Sequence, residues 1–345
     1  MKVLHLLSSD KYSGAENVVC QIIDMFKGEY EMTYCSLDGP IRNTLSDKKI
    51  NFLPLKELSL KEIKAAVKKF QPDVIHAHDI KASILASRFH KQCNIISHVH
   101  GNDKRNMGKV SLKSLLFNLC SNRFKKIFWV SNSCLTDYRF KNRVKDKSIV
   151  LHNIINVGNL YNTAKLDNNK YDFDVCYLGR LTEVKNPLRA LEIMRDVVAQ
   201  NKSMKCAVVG DGDLREECEN FVRDNGLDNN IKLFGFVKNP YKVLESSKVL
   251  LMSSINEGTP MALLEAFALG VPLVSTKIDG AVELITNELM GGFYEDNATA
   301  VKLINSILNS NRSEIKNYLI NFSNDYNNIE KYKNVILSAY TNDGE

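Results

Sequence analysis

Apolar and polar positions along the 345-residue chain fall into two alternating series. The first opens with KVLHLL (Lys2–Leu7), a short apolar run. A polar loop, SSDKYSG, follows, and then Ala15–Phe26, whose apolar positions recur at helical spacing. EMTYCSL then reads as strand, LKEIKAAVKKF as helix, DVIHAH as strand and KASILASRFH as helix. NIISHVH reads as strand, SLKSLLFNLCSNRF as helix and KIFWVS as strand. Short apolar runs separated by helix-length segments require right-handed crossovers and a parallel sheet.

Near residue 152 the pattern breaks. HNIINVGNLYNTAKLDNNKYD is polar and Asn-rich and reads as a linker. The alternation then restarts, with FDVCYLG, MKCAVVG, IKLFGFV, VLLMSS and VPLVST as strands. Between them, PLRALEIMRDVVAQ carries Pro187 in its first turn, LREECENFVRDNG is closed by Gly226, and PMALLEAFALG runs from Pro260 to Gly270. From Ala298 onward the chain reads as largely helical. The expected fold class is α/β, with two Rossmann-like doubly wound domains. The first spans 1–155 and the second 156–325, facing across a cleft at the carboxyl ends of their strands, where open α/β sheets take ligands. Residues 326–345 are expected to form a C-terminal helix packing back toward the first domain.

Composition adds boundaries. Hydrophobic residues are 44% and charged residues 25%, as in soluble globular chains. No apolar stretch reaches the length that spans a bilayer, and Asp10 interrupts what would be a signal peptide, so a cytoplasmic location is expected. The eight cysteines are scattered without a Cys-x-x-Cys pair, which argues against a zinc knuckle and a disulfide framework. The net charge of +6 conceals a split: residues 1–150 hold 26 Lys+Arg against 14 Asp+Glu, and the remainder holds 20 against 26. Such a basic half fits an anionic partner, whether phosphorylated substrate, membrane surface or nucleic acid, or an ordinary solvated surface.

The densest chemistry lies in INEGTPMALLEAFALGVPLVS (Ile255–Ser275). A strand ends, a loop carries Glu257, Gly258 and Thr259, and a helix starts beside Pro260. Backbone amides of Gly258, Thr259, Met261 and Ala262 would be available to a phosphate there. Glu265, inside the helix, could accept hydrogen bonds from a pair of sugar hydroxyls, as acidic residues do for ribose in dinucleotide folds. In YLGRLTEVKNP, Arg180 follows a strand and Lys185 comes five residues later, a fork and a point charge suited to a diphosphate. Gly14, in SDKYSGAEN, sits between the first strand and first helix, where it permits close approach of phosphate or sugar; this is not a G-x-G-x-x-G motif.

These residues carry a family resemblance. The second half resembles the retaining GT-B fold glycosyltransferases of family 4, also called glycosyl transferases group 1. The matching pieces are GR with Lys185, VVGDGDL, LFGFVKN and EGTPMALLEAFALGVPLVST, with its E-x7-E element. The first half matches more loosely through SGAENV, PDVIHAH, HVHGND and VSNS. The resemblance implies a hexosyltransferase that moves a hexose from a nucleotide sugar, by default a UDP-sugar, with retained configuration. No metal or cofactor would be bound; the nucleotide sugar is a co-substrate. The acceptor would be a glycan or a lipid-linked glycan, in a setting such as bacterial surface-polysaccharide synthesis.

Carried over, the resemblance gives Arg180 and Lys185 the donor diphosphate, and Glu257 the donor sugar with Gly258 and Thr259 beside it. It gives Glu265 the ribose and sets Phe236 and Val237 against the base. Gly14 approaches the donor phosphate and His100 lies near the transferred sugar, so that His100, Arg180, Lys185 and Glu257 form the expected catalytic set. Two departures stand out. The family often has Gly-Gly where this chain has Ser13-Gly14, and its Asn-Gly-x-Asp appears here as Asn153-Ile154-Ile155-Asn156.

Alternatives remain on the residues alone. A nucleotide-sugar epimerase of the same fold would bind the donor without an acceptor. His76-x-His78 and His98-x-His100 each place two imidazoles on one face of a strand end, with Asp79 and Asp103 nearby, as a metal-dependent hydrolase would. Lys104–Lys126 has seven basic residues and no acid, and Leu112, Leu115, Leu116 and Leu119 follow helical spacing. Two arrangements fit: an interfacial helix making peripheral contact with anionic membrane at its inner face, or a helix packing its leucines on the sheet. A nucleic-acid partner is not expected, since the stretch has few aromatics for base stacking.

Overall fold

The computed structural model describes residues 1–101 and 111–341. The chain divides into two compact units, Met1–Ile154 with Asn328–Glu345, and Ile155–Asn327.

The first unit is built on a seven-stranded sheet of β1 (Lys2–Leu6), β2 (Glu31–Leu37), β3 (Phe52–Leu55), β4 (Val74–His78), β5 (Asn94–Val99), β6 (Lys126–Trp129) and β7 (Ser148–Val150). Every pairing is parallel and the order is β3-β2-β1-β4-β5-β6-β7, so the direction of winding reverses between β1 and β4. Alternation of side chains sends Leu4, Leu6, Ile75, Ala77, Ile95, Ile127 and Trp129 to one face. The helices Leu60–Phe70, Asp79–Ala86 and Leu112–Cys120 cover that face through Ile63, Val67, Phe70, Ala82 and Phe117.

The opposite face carries imidazoles. His5 stands level with His76, and His78 with His98, in adjacent strands. The helix Ile329–Tyr340, started by Asn328 accepting from the Lys331 amide, lies on this side, and the Tyr340 hydroxyl is 2.6 Å from His76 Nδ1. Its far end is held by Lys125, whose Nζ donates to the Tyr340 and Thr341 carbonyls at 3.3 and 2.6 Å. Lys125 therefore caps a helix and is not one of the lysines available to a membrane. Lys104, Arg105 and Lys109, from the same basic stretch, lie outside the described residues.

The second unit has a six-stranded parallel sheet of β8 (Phe173–Leu178), β9 (Cys206–Val209), β10 (Ile231–Gly235), β11 (Ser247–Met252), β12 (Leu273–Thr276) and β13 (Gly291–Tyr294), in the order β10-β9-β8-β11-β12-β13. Winding reverses between β8 and β11. Both faces are buried. Cys176, Leu250, Met252 and Leu273 meet the helices Met261–Ala268 and Arg312–Tyr326, while Val175, Tyr177, Val249 and Leu251 meet Pro187–Gln200 and Asn297–Leu308. Strands covered on both sides read as unbroken apolar runs, as VLLM does.

Two differences from the sequence reading have physical causes. The supposed linker contains the helix Val157–Ala164, capped by the Asn156 side chain accepting from the Asn159 amide; asparagines that look like loop are here a helix start. β3, β7 and β13 lie at sheet edges, where few apolar residues are needed: FLPL carries a proline, SIV has three residues and GGFY two glycines. Of the two arrangements open for the helix Leu112–Cys120, the one with the leucines on the sheet is not adopted: Ser114, Phe117, Asn118 and Cys120 are buried and Leu112, Leu115, Leu116 and Leu119 are exposed. No helix among the described residues is long and apolar enough to cross a membrane.

The ends of the second unit are fastened to each other. Buried Asn327 accepts the Ile155 amide at 2.8 Å and donates to the Ser323 carbonyl and hydroxyl at 2.7 and 2.9 Å. Asn327→Ala strands the Ile155 amide and should destabilise this unit by about 1–3 kcal/mol. Urea unfolding reads the change as a lower midpoint with unaltered slope.

Candidate functional site

Arg180, Lys185 and Glu257 follow the two strands between which the winding of the second unit reverses, whereas Phe236 and Val237 follow the edge strand β10. β8 and β11 are neighbours, so the loops leaving their carboxyl ends start side by side. The Tyr177 hydroxyl donates to the Arg180 carbonyl at 3.0 Å, shaping the turn after β8. Ser253, just beyond β11, donates its hydroxyl to the carbonyls of Lys185 and Asn186 at 3.1 and 2.6 Å, and the Ile255 amide donates to the Val184 carbonyl at 2.8 Å. With the loops so joined, Lys185 Nζ lies 2.5 Å from Glu257 Oε1. Ser254 donates to the same oxygen at 2.7 Å. The side chains are only 24% and 11% exposed, so solvent screens the pair weakly. Arg180, by contrast, is exposed and makes no ion pair among the described residues.

Backbone approaches close the rest of the patch. A Cβ on Gly280 would stand 1.5 Å from the Gly258 carbonyl oxygen, so the turn beginning at Asp279 lies directly on the Gly258–Thr259 loop. A Cβ on Gly210, at φ +147, would meet the Gly179 carbonyl at 1.8 Å. The Gly210 amide in turn donates to the Gly235 carbonyl at 2.9 Å, tying the segment after β9 to the end of β10. Phe236, the next residue, is exposed, and Val237 is half-buried.

The helix Met261–Ala268 follows Pro260, which has no amide proton, and its first-turn residues Met261 and Ala262 are half-buried. Glu265 is buried in this helix, not solvated on it. The Tyr241 hydroxyl donates to its Oε1 at 3.4 Å. Burial pushes the carboxyl up to about 7, and the tyrosine hydrogen bond offsets only part of that rise.

Gly14 and His100 belong to the first unit. Gly14 opens the helix Gly14–Met25 after β1, and the preceding Ser13 donates its hydroxyl to buried Glu16, whose pKa is raised by burial. His100 follows β5. Its amide donates to Asp79 Oδ1 at 3.1 Å, and its Nε2 is 2.8 Å from His78 Nδ1. Asp79 sits at φ +68, uncommon for a residue with a side chain and typical of sites where surroundings impose strain. Burial lowers the His100 pKa and Asp79 partly restores it.

The histidine pairs do not act as separate pairs. His78 Nε2 lies 3.1 Å from His5 Nδ1, so His5, His78 and His100 form one chain of imidazoles, with His76 and His98 stacked against it. Ring nitrogens of His5, His76 and His78, and of His78, His98 and His100, lie within 4.8 Å of each other, close enough for a metal. Asp79 is occupied by the His100 amide, and Asp103 lies outside the described residues. Burial lowers the pKa of His5, His76, His78 and His98, holding them neutral.

Sequence reading missed Ser253, Ser254, Tyr241 and Gly280. The two serines end the apolar run VLLMSS and carry a signal in hindsight. Tyr241 and Gly280 have none, because their partners lie 24 and 22 positions away.

The sequence profile described as Glycosyltransferase Family 4 matches residues 13–159, and that of Glycosyl transferases group 1 matches residues 162–325. The chain belongs to this family. It is a glycosyltransferase of GT-B fold. An Escherichia coli UDP-Gal:alpha-D-GlcNAc-diphosphoundecaprenol alpha-1,3-galactosyltransferase is 25% identical over 99% of this chain and 98% of its own length. The Staphylococcus aureus capsular polysaccharide biosynthesis glycosyltransferase CapH is 25% identical over 88% and 87%. Among solved structures, Anabaena HepE in complex with UDP and glucose superposes with a TM-score of 0.81 at 19% identity over 98% of both chains. These relatives lend no support to an epimerase or a metal-dependent hydrolase.

The raised Glu265 pKa links stability of this glycosyltransferase to pH. Between its ordinary value of 4.5 and about 7, the folded protein retains a proton that the unfolded chain has released, so stability falls as pH rises through that window. Glu265→Gln should remove a fall on the order of 2–3 kcal/mol. Unfolding midpoints at pH 5 and pH 8 compare the two proteins; equal pH dependence would contradict the buried-carboxyl origin.

Proposed function

We propose that the protein is a retaining hexosyltransferase that moves a sugar from a nucleotide sugar, by preference a UDP-sugar, to a glycan or lipid-linked acceptor in bacterial surface-polysaccharide synthesis. The observation that carries this reading is the Lys185–Glu257 pair at the β8/β11 switch, with the amide-rich start of the helix Met261–Ala268 beside it. The relatives support the chemical class: one uses UDP-Gal and an undecaprenol-linked acceptor, another serves capsular polysaccharide, and HepE is described with UDP and glucose.

In this proposal the donor diphosphate lies against Arg180, Lys185 and the amides of Gly258, Thr259, Met261 and Ala262. As the bond from sugar to phosphate breaks, negative charge grows on the leaving group and positive charge on the sugar ring. Arg180 and Lys185 stabilise the first, where a metal would otherwise serve. Glu257 faces the sugar and, through its pairing with Lys185, fixes the ammonium before the donor arrives, so little reorganisation is needed during reaction. The leaving phosphate takes the acceptor hydroxyl's proton, and no separate general base is assigned. Glu265 receives the ribose hydroxyls, Phe236 and Val237 flank the base, and Gly14 and His100 serve the phosphate and the transferred sugar from the first unit. Acting on a lipid-linked acceptor, the enzyme would work in the cytoplasm as a peripheral protein at the inner face of the membrane.

Arg180→Ala and Lys185→Ala should each reduce kcat more than donor affinity, because both act on charge that grows in the transition state. Arg180→Ala should leave the melting temperature unchanged, since the side chain is exposed. Lys185→Ala leaves Glu257 unpaired and should lower it as well. Near-normal turnover of either variant at saturating donor would remove that residue from the leaving-group role. EDTA should leave the rate unchanged; loss restored by magnesium or zinc would overturn the metal-free mechanism.

Glu265→Ala should weaken UDP binding by about 1–3 kcal/mol through loss of hydrogen bonds to a carboxylate. Titration calorimetry measures it, and unaltered affinity would remove the ribose assignment.

A further inference from the structure

Five histidines of the first unit gather on one side of its sheet, and their hydrogen bonds leave ring nitrogens over. Both nitrogens of His98 and one each of His5, His76 and His100 are buried without a partner among the described residues. A buried polar atom left unpaired costs free energy, and several together point to something that would bind there.

Strand geometry brings three of these rings to one place. His98 and His100 are two residues apart and share a face, and His78 stands level with His98 in the neighbouring strand. One ring nitrogen from each of His78, His98 and His100 lies within 4.8 Å of the others. The His100 ring is centred 4.1 Å from that of His98 and 5.1 Å from that of His78. His78 Nδ1 and His100 Nε2 share one proton at 2.8 Å. Zinc holds imidazole nitrogens at about 2.0–2.1 Å in a tetrahedron, which sets them about 3.4 Å apart. These two nitrogens would part by about 0.6 Å to take a cation in place of the proton. Each ring then carries its proton on its far nitrogen. For His78 that is Nε2, which already faces His5 Nδ1 at 3.1 Å, the outer partner that orients a ligating imidazole.

Nitrogens of His5, His76 and His78 lie equally close, but all three rings are buried and His76 Nδ1 is taken by the Tyr340 hydroxyl at 2.6 Å. His100 is half-buried and gives a cation arriving from solvent a first ligand. Three imidazole nitrogens with no thiolate suit zinc, nickel or copper and not magnesium or calcium. The Asp79 carboxylate, whose Oδ1 accepts the His100 amide at 3.1 Å, sets negative charge alongside. We propose that His78, His98 and His100 form a binding site for a divalent transition metal of the zinc class, with His100 as its outer ligand. One consequence rests on the function proposed above, in which His100 serves the transferred sugar. Bound metal takes His100 from the sugar, so zinc is an inhibitor and not a participant, in keeping with a rate that EDTA does not lower.

The test is titration of the full-length protein, stripped with EDTA and freed of chelator, with zinc by calorimetry and with cobalt(II) by its visible absorption. The wild type should bind one equivalent, and cobalt should show the intense bands of a four-coordinate site. His98→Leu removes a ligand that holds no hydrogen bond and should weaken binding about tenfold or more. His76→Leu, outside the three, should bind as the wild type does. Absence of a stoichiometric site in the wild type overturns the proposal, as does undiminished binding by His98→Leu, which would mark adventitious surface imidazoles. Loss of binding in His76→Leu with retention in His98→Leu moves the metal to the inner three rings and overturns it equally. One equivalent of zinc should also lower transfer by the wild type and not by His98→Leu. Stoichiometric binding without that loss upholds the metal site and removes His100 from the sugar. Normal transfer by a protein that binds no zinc removes the metal site and leaves the transferase reading standing.

Discussion

The ion pair between Lys185 and Glu257 depends on the order of strands around it. In a parallel sheet wound outward from one strand, successive crossovers go the same way until the winding reverses, and at that point two neighbouring strands send their loops apart. β8 and β11 are those neighbours, and the space between their loops is bridged by one ammonium and one carboxylate. Ser253 and Ser254 make the bridge possible by drawing the backbone of one loop onto the other. The glycines at 210 and 280 matter for the same reason, because a single methyl group at either would push these backbones apart.

The first unit solves a different problem. Its sheet buries four imidazoles on one face, with His100 half-buried at the rim, where a typical α/β sheet would place aliphatic side chains. Desolvation keeps them neutral, and a neutral imidazole both donates and accepts, so the rings satisfy one another in a chain from His5 through His78 to His100. The cost is incomplete pairing: among the described residues, both ring nitrogens of buried His98 and one each of His5, His76 and His100 lack a partner. The chain ends at His100, beside Asp79, at the carboxyl edge of the sheet. Polar order thus runs from the middle of the core to the rim where substrates of α/β proteins are met.

Much of this was legible in the sequence because parallel strands buried on both faces announce themselves as apolar runs, and because the helices between them begin at Pro187 and close at Gly226. LKEIKAAVKKF and PLRALEIMRDVVAQ match their helices residue for residue. Of the four edge strands only β10 was legible, as IKLFGFV; β3, β7 and β13 were not, since half the hydrogen bonds of an edge strand face outward and its composition is free to vary. The convergence of Arg180, Lys185, Glu257 and Gly258 on one sheet end could be anticipated from strand-loop-helix order. The environment of Glu265 could not, because it depends on Tyr241, which nothing local connects to it. The orientation of the helix Leu112–Cys120 was undecided in the sequence: four leucines and one phenylalanine compete for the core, and ring contacts with Trp129 and Tyr138 settle it for Phe117.

The contact of Tyr340 with His76 also orders events during synthesis. The imidazole face of the first sheet is finished by a helix whose residues follow the whole of the second unit in the chain. The second unit is continuous in sequence from Ile155 to Asn327. The first unit must wait, its histidines open to water and free to take up protons, until Ile329–Tyr340 arrives to cover them. The first unit, begun before the second, is therefore completed after it, reversing the usual vectorial order of domain folding.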